Sequence, residues 1–414
     1  MSISDLPGEL LAEVLAKIPA KSLLKLGYVS KSWKSLIDSP EFVKFHLNRG
    51  HSLPMPADRP IRLILLANSL SDGLKYYAAE FDSPEKVITS MVELELGNYS
   101  FTADQFAERT TRLIGSCNGL VCIAFRKAEV ALWNPSIRDF RVLPYSPPVL
   151  LPDDDTNNGA DNFYPISYGF GYDDISDDYK VIRVANNFDD HPAVITSTKR
   201  KWQEVKVYNL KSDSWKTLSD FPHVICLAAH KYGAAFVNHA LHWTVDEDRV
   251  LSGDNSPRDN YEFSIAAIDL RTEKFYMVPP PPGISMKCLW VMGVLGGCLT
   301  LHLRTTMDLW IMKDYGLKDS WTRLTLNVGK LFHPEFFVHP RGVTTTDHKE
   351  LIVKDYSGFV WCNINKHTIK KKEEYKDCWN GGSFRFGCVS IAFGCELVDS
   401  LVRPRPSSGC NKNK

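Results

Sequence analysis

The sequence predicts a small N-terminal all-α unit of three to four helices followed by an all-β propeller of about six blades, closed by strands from both ends of the chain. Three observations predict it. Residues 5–50 carry apolar side chains at helical spacing, the chain from residue 61 onward consists of short strand-like runs between turn residues, and those runs recur in a fixed order.

The helical unit can be taken residue by residue. Asp5 is a good N-cap and Pro7 suits a helix start, where a missing N–H costs nothing. Leu10, Leu11, Val14, Leu15 and Ile18 then form an apolar stripe, and Pro19 stops the helix. A second helical stretch carries Leu23, Leu24, Leu26 and Val29. Ser30 can cap a third, with Trp33, Leu36 and Ile37 on one side. Ser39 and Pro40 open a fourth, with Phe42, Val43, Phe45 and Leu47 apolar and Gly50 after its end. Helices this small bury too little to stand alone, so part of the apolar surface must be completed by another surface, in the same chain or in a partner.

A Pro-rich linker over 51–60 separates this unit from the β region, assigned to 61–402, with a Pro-, Ser-, Asn- and Lys-rich tail over 403–414 read as disordered. Strand-like runs fall at 61–67, 76–81, 120–125, 130–133, 180–184, 205–210, 240–245, 265–270, 299–303, 309–312, 351–353 and 359–364. One phrase repeats: an apolar strand that ends in an Asp or Asn turn and returns through an aromatic. It is seen as VYNLKSDSWK at 207–216, AIDLRTEKF at 267–275 and LWIMKDYGLKDSWT at 309–322, with weaker copies at 77–86, 131–140 and 360–369. Tight turns and strands precede the copies, at 117–122, 237–243 and 296–301. A repeat of about 45 to 75 residues with four strands per unit is a propeller signature. The first copy, 61–96, supplies three strands, and the lone strand at 388–398 can supply its fourth, which removes exposed edges. A closed propeller has no unfilled core to receive the helices, so their spare apolar stripe is expected to be an interface.

Composition excludes several classes. The 414 residues carry 49 basic and 49 acidic side chains, so no global charge recruits nucleic acid or an anionic membrane. No basic start followed by an apolar run and no spanning-length apolar stretch is present, which points to a soluble protein of the cytoplasm or nucleus. Seven of the ten cysteines lie in strand-like runs and read as reduced, and no C-x-x-C pair offers a zinc site.

Two sets of motifs carry a resemblance. LPGELL at 6–11, IPAKSLLK at 18–25, VSKSWKSLI at 29–37 and PEF at 40–42 resemble an F-box of the plant type. SCNGLV at 116–121, WNPS at 133–136, YGFGYD at 168–173 with DDYKV at 177–181, and WIMKDYG with DSWT at 310–322 resemble the plant F-box-associated type 1 (kelch-like) domain. The pattern is similar to that of immune-receptor-regulating and pollen S-locus F-box proteins. The resemblance implies that the helices bind a Skp1-like adaptor, and through it a cullin, in an SCF (Skp1–cullin–F-box) ubiquitin ligase, while the propeller binds a protein substrate. Position by position, the implied adaptor-facing residues are Leu6, Pro7, Leu10, Val14, Ile18, Pro19, Leu23, Leu26, Val29 and Trp33. Ser30 departs from a cysteine common in relatives.

Connections at 145–163, 186–201, 246–260 and 279–287 are long, whereas those at 116–118, 173–178, 238–240 and 296–297 are short. In a propeller the two sets emerge on opposite faces, so the long set marks a recognition surface. Its candidates are Asp153, Asp154, Asp155, Phe163, Phe188, Asp189, Asp190, Lys199, Arg200, Trp202, Asp248, Arg249, Arg258 and Tyr261.

No catalytic motif, cofactor site or metal site is recognisable among the twelve histidines and the acidic residues. His239, His242 and His302 read as structural, and Asp173, Asp174, Asp177 and Asp178 fit a hairpin turn better than a calcium loop. Lys370, Lys371 and Lys372 read as a solvated strand end or a nuclear-import signal. A propeller enzyme, such as an oxidase or glycan hydrolase with a helical cap, is the alternative to a non-catalytic receptor.

Overall fold

The computed structural model describes residues 7–52, 61–69, 73–81, 90–94, 112–124, 129–146, 166–186, 203–218, 223–225, 233–250, 263–284, 290–303, 308–325, 339–344, 350–354, 358–363, 368–374, 390–392 and 398–406. Four helices come first. Helix α1 (Gly8–Leu15) starts at Pro7 with no side-chain cap, and the expected cap, Asp5, lies outside the described residues. Helix α2 (Ala20–Leu26) has Pro19 as its N-cap, so this proline opens the second helix rather than merely stopping the first. Ser30 caps α3 (Lys31–Ile37), its hydroxyl accepting from Ser32 N at 3.2 Å. Ser39 accepts from Phe42 N at 3.2 Å at the start of α4 (Pro40–Ser52). That helix runs through Gly50 rather than ending before it; one glycine near a helix end costs only about 1 kcal/mol.

The strands that follow are β1 (Ile61–Ser69), β2 (Gly73–Phe81), β3 (Ser90–Leu94), β4 (Arg112–Cys117), β5 (Leu120–Ala124), β6 (Val130–Asn134) and β7 (Asp139–Val142). Next come β8 (Ile166–Asp173), β9 (Asp178–Asn186), β10 (Gln203–Asn209), β11 (Ser214–Leu218), β12 (His223–Ile225), β13 (Ala235–Val237), β14 (Ala240–Val250), β15 (Phe263–Asp269) and β16 (Phe275–Val278). The last are β17 (Trp290–Leu295), β18 (Cys298–Leu303), β19 (Asp308–Met312), β20 (Trp321–Thr325), β21 (His339–Thr344), β22 (Glu350–Lys354), β23 (Gly358–Asn363), β24 (Thr368–Glu374) and β25 (Ser390–Ala392). They form antiparallel meanders in chain order, each sheet beside the next: β4 lies by β8, β8 by β13, β13 by β17 and β17 by β21. This is a β-propeller. Four blades, rather than the expected six or so, are described through their side chains: β4–β7, β8–β11, β12–β16 and β17–β20. The sheets β25-β1-β2-β3 and β21–β24 are described by strand pairing alone, because their side chains lie outside the described set. Lys370, Lys371 and Lys372 sit inside β24, not at a strand end.

The local chemistry explains the repeats. In three of the four blades described through their side chains the first hairpin turns on two residues that both have positive φ: Asn118 (52°) with Gly119 (81°), Asn238 (49°) with His239 (61°), and Gly296 (56°) with Gly297 (76°). Two-residue turns of this kind match the strand twist and favour Asn and Gly. The repeated phrase is the third-to-fourth strand hairpin. Its Asn or Asp accepts from the backbone N–H two residues on, as in Asn134 from Ser136 (2.9 Å) and Asp269 from Arg271 (2.8 Å).

The returning aromatic links blades. Trp215 Nε1 on β11 donates to the Pro144 carbonyl just past β7 (2.7 Å), and Trp321 Nε1 on β20 donates to the Pro279 carbonyl just past β16 (2.9 Å). Lys180 makes a third link, donating to Leu270 O (2.6 Å) and Glu273 (3.0 Å) of the next blade while pairing with Asp173 (2.9 Å). Among the described residues, apolar clusters of the propeller accordingly mix neighbouring sheets, as where Ile182, Val184 and Val207 meet Leu241, Trp243 and Ala266. Gly169 permits this approach, since a Cβ there would come within 2.8 Å of both Ala234 and Leu241.

His242 shows how a buried polar group is satisfied. Nδ1 lies 3.0 Å from the Ala235 carbonyl and Nε2 lies 2.6 Å from the Tyr315 hydroxyl. A carbonyl only accepts, so Nδ1 carries the proton and Nε2 accepts from Tyr315. Burial pushes the imidazole down to about 4. The unfolded value is about 6.5, so this neutral histidine contributes in full above that pH, and its contribution, up to about 3 kcal/mol, is lost as pH falls towards 4. The urea midpoint of the wild type should therefore fall more between pH 7 and pH 4.5 than that of His242→Gln. Parallel pH profiles would contradict the assignment.

Candidate partner interface

Inward and outward residues of the helical unit divide cleanly. Leu15, Ala16, Ala20, Leu23, Ile37 and Phe42 form its buried core, with Leu11, Leu24, Leu36 and Val43 packed against it. Leu23 is fully buried, so it supports the unit instead of facing a partner. The apolar pattern of α1 is in fact two adjacent stripes: Leu11 and Leu15 turn inward, whereas Leu10 and Val14, one turn apart, are 50% and 52% exposed. Val29 is 70% exposed and Tyr28, which the sequence reading passed over, is 88% exposed. Pro7 and Pro19 are exposed, Ile18, Leu26 and Trp33 are half-buried, and Leu6 lies outside the described residues. So many bare apolar side chains on one small unit mark an interaction surface.

The unit is not free of the β domain, contrary to the expectation that a closed propeller would leave it unpacked. Residues 398–405 run between the two. Leu401 enters the helical core, while Val402 enters the apolar cluster of the β4–β7 and β8–β11 sheets, where Leu47 and Val43 of α4 also pack. The fully buried Asn134 fixes this segment, its Nδ2 donating to Ser400 O (2.9 Å) and Val402 O (2.8 Å). Gly119 makes room for it: a Cβ there would come within 2.3 Å of Ser400 Cβ. These are the central residues of the WNPS and SCNGLV motifs. Asp399 accepts from Ala20 N at 2.8 Å, and Arg403 spans Asp38 (3.1 Å) and Asp139 (3.8 Å). Arg405 also pairs with Asp139, at 3.3 Å. Arg403 and Arg405, expected to open a disordered tail, are thus fixed by ion pairs.

All these contacts lie on the face of the short turns. Gly119 and Asp177 belong to first hairpins, Ile137 and Asp139 to the β6–β7 hairpin, and Lys44 of α4 reaches Asp177 at 3.4 Å. Strands alternate direction, so the long connections leave from the opposite strand ends. Of the recognition candidates, Asp153, Asp154, Asp155, Phe163, Phe188, Asp189, Asp190, Lys199, Arg200, Trp202, Arg258 and Tyr261 lie outside the described residues. Asp248 and Arg249 are not in a loop: β14 continues to Val250, which pairs with His223 of β12. The acidic hairpin finds its partners both within itself and on neighbouring elements. Asp173 accepts from Ile175 N (3.0 Å) and from the Ser176 hydroxyl (2.6 Å). Burial alone would raise its carboxyl, but the Ser176 and Lys180 hydrogen bonds outweigh it and bring it down to about 2. Asp174 is engaged by both nitrogens of Arg271 that face it, at 2.6 and 2.7 Å.

Comparison with known proteins agrees with this two-part build. Residues 70–403 match the F-box associated beta propeller domain, and residues 3–45 match the F-box domain. The chain belongs to the F-box associated beta propeller family. It is similar to F-box protein CPR1 of Arabidopsis thaliana, with 27% identity over 410 residues, 95% of this chain and 90% of that one. It is also similar to the Arabidopsis thaliana F-box/kelch-repeat protein At3g23880, with 26% identity over 332 residues, 77% of this chain and 79% of that one.

Asn134→Ala should remove both donated bonds and the turn bond, lowering stability by about 2–4 kcal/mol in chemical denaturation. Asn134→Asp should cost more, because a carboxylate would face two carbonyls with nothing to donate. Equal stability of Asn134→Asp and wild type would contradict the assigned donors.

Proposed function

We propose that the chain is the substrate-recognition subunit of an SCF-type E3 ubiquitin ligase, with no chemistry of its own. The observation that carries this is the outward apolar face of a helical unit whose core is already complete. Leu10, Val14, Val29 and its chain neighbour Tyr28 are exposed although Leu15, Leu23 and Ile37 fill the interior. That face suits the Skp1-like adaptor that F-box domains engage, and through it a cullin.

The propeller supplies the second half of the bridge. In this reading the six sheets are six blades, and β25 pairing with β1 at residues 66–68 closes the ring with a strand from each end of the chain. The adaptor face sits on the short-turn side, which leaves the long connections free to meet a protein substrate. Arginines, aspartates and aromatics in those connections, among them Arg200, Trp202, Arg258 and Tyr261, suit a protein surface better than a small ligand. The same reading places the protein in the cytoplasm or nucleus, where ubiquitin ligases act.

Co-purification tests the adaptor half. Leu10→Asp combined with Val14→Asp should abolish capture of a Skp1-like adaptor while leaving the thermal transition of the propeller in place, since both side chains already face solvent. Each anchor lost to charge costs several kcal/mol at an apolar interface, enough to remove micromolar binding. Leu23→Asp should instead unfold the helical unit. Undiminished capture by the double variant would sink the proposal.

A further inference from the structure

We propose that Asp399, Leu401 and Arg403 are positioning residues of the adaptor site, and that the F-box holds its binding-competent form only while this C-terminal segment is inserted. The inference rests on the adaptor-binding role proposed above and extends that site to a segment that lies 379 residues from its helical partner in sequence.

Helix α2 shows the dependence first. Its N-cap is Pro19, which has no side-chain oxygen to offer the first free N–H groups of the helix. Asp399 supplies that oxygen to Ala20 N, and a carboxylate is also the favourable charge at a helix N-terminus. The helix is therefore capped in trans.

The helical core shows it second. Leu401 is 4% exposed and packs in the same cluster as Leu15, Ala20 and Leu23. Leu11 and Leu15 are the inward residues of α1, whose outward residues are Leu10 and Val14. Removing Leu401 leaves a leucine-sized void in the core cluster that includes Leu15 of α1, and such voids are made good only partly by relaxation. An F-box detached from its own C-terminal segment is thus short of one core side chain and one cap.

The register of the segment shows it third. Consecutive side chains of an extended chain point to opposite sides. Leu401 accordingly enters the F-box while Val402 enters the propeller cluster. Asn134 holds the carbonyls on either side of Leu401, those of Ser400 and Val402, and so sets which residue points which way. Arg403 then joins Asp38, the C-cap of α3, to Asp139 of β7. A slip of one residue would place a valine in the F-box and a leucine in the propeller.

The test uses the full-length chain and a purified Skp1-like adaptor, with affinity and amide hydrogen exchange read in parallel. Leu401→Asp should weaken adaptor binding at least tenfold and raise exchange in α1 and α2 at least tenfold, while amides of β9 and β15 stay protected. Leu401→Met should change both by less than twofold. A chain ending at residue 397, which keeps β25, should behave as Leu401→Asp does. Wild-type affinity and wild-type α2 exchange in Leu401→Asp would overturn the proposal. If Leu401→Asp also loosens the propeller strands, Asp399→Ala decides, since it removes only a half-buried carboxylate: faster α2 exchange upholds the coupling and unchanged exchange overturns it. A wild-type chain that binds no adaptor at all would refute the ligase reading, while exchange in the variants would still judge the coupling.

Discussion

The carboxamide of Asn134 is the interaction on which the two-part architecture depends. One buried side chain closes its own hairpin turn through Oδ1 and holds two carbonyls of the C-terminal segment through Nδ2. Buried carbonyls left without donors would cost about 1–3 kcal/mol each, so the amide removes a penalty that would otherwise oppose burying the segment here. A carboxylate of the same shape could close the turn but could not donate, and leucine could do neither. Through this group the propeller fixes residues 398–403, and through those residues it fixes the F-box.

The remainder of the propeller is built on links that repeat with the sequence. The tryptophan of a fourth strand donates to a proline carbonyl at the end of the preceding blade, once from Trp215 and once from Trp321. This explains the copies of the repeated phrase that return through tryptophan: the ring packs, and the indole N–H locks the blade to its neighbour. Lys180 does similar work with charge, bridging Asp173 of its own blade and Glu273 of the next. Its ammonium stays charged, for although burial opposes this, the Asp173 and Glu273 carboxylates outweigh it and raise its affinity for the proton. A rigid scaffold of this kind suits a bridge, since it holds its two faces at a fixed separation.

Much of this was legible in the sequence, for identifiable reasons. Short apolar or alternating runs located strands such as β5 and β10, the Asn-Gly and Gly-Gly pairs marked tight turns, and Ser30 and Ser39 marked helix starts. Periodicity could not say which of two adjacent stripes on α1 faces inward, because Leu10 and Val14 follow the same spacing as Leu11 and Leu15. The family resemblance, carried over position by position, placed Leu23 at the adaptor face, whereas its side chain is fully buried in the helical core. Residues 398–403 carried no periodic signal; their role depends on Asn134 and Gly119, far away in sequence, and the only hint was that WNPS and SCNGLV contain more polar and glycine character than a strand end needs. The extent of β14 was missed because DEDR at 246–249 resembles a loop in composition yet lies on a paired strand.

In the function proposed above, the chain bridges an adaptor on its short-turn side and a substrate on the opposite face. A structure of the full-length chain bound to a Skp1-like adaptor tests this most directly. Adaptor density should cover α1 and the turn that bears Tyr28 and Val29, with the strand ends that lead into the long connections left bare. Adaptor density across those far strand ends, with Leu10 and Val14 exposed to solvent, would contradict it.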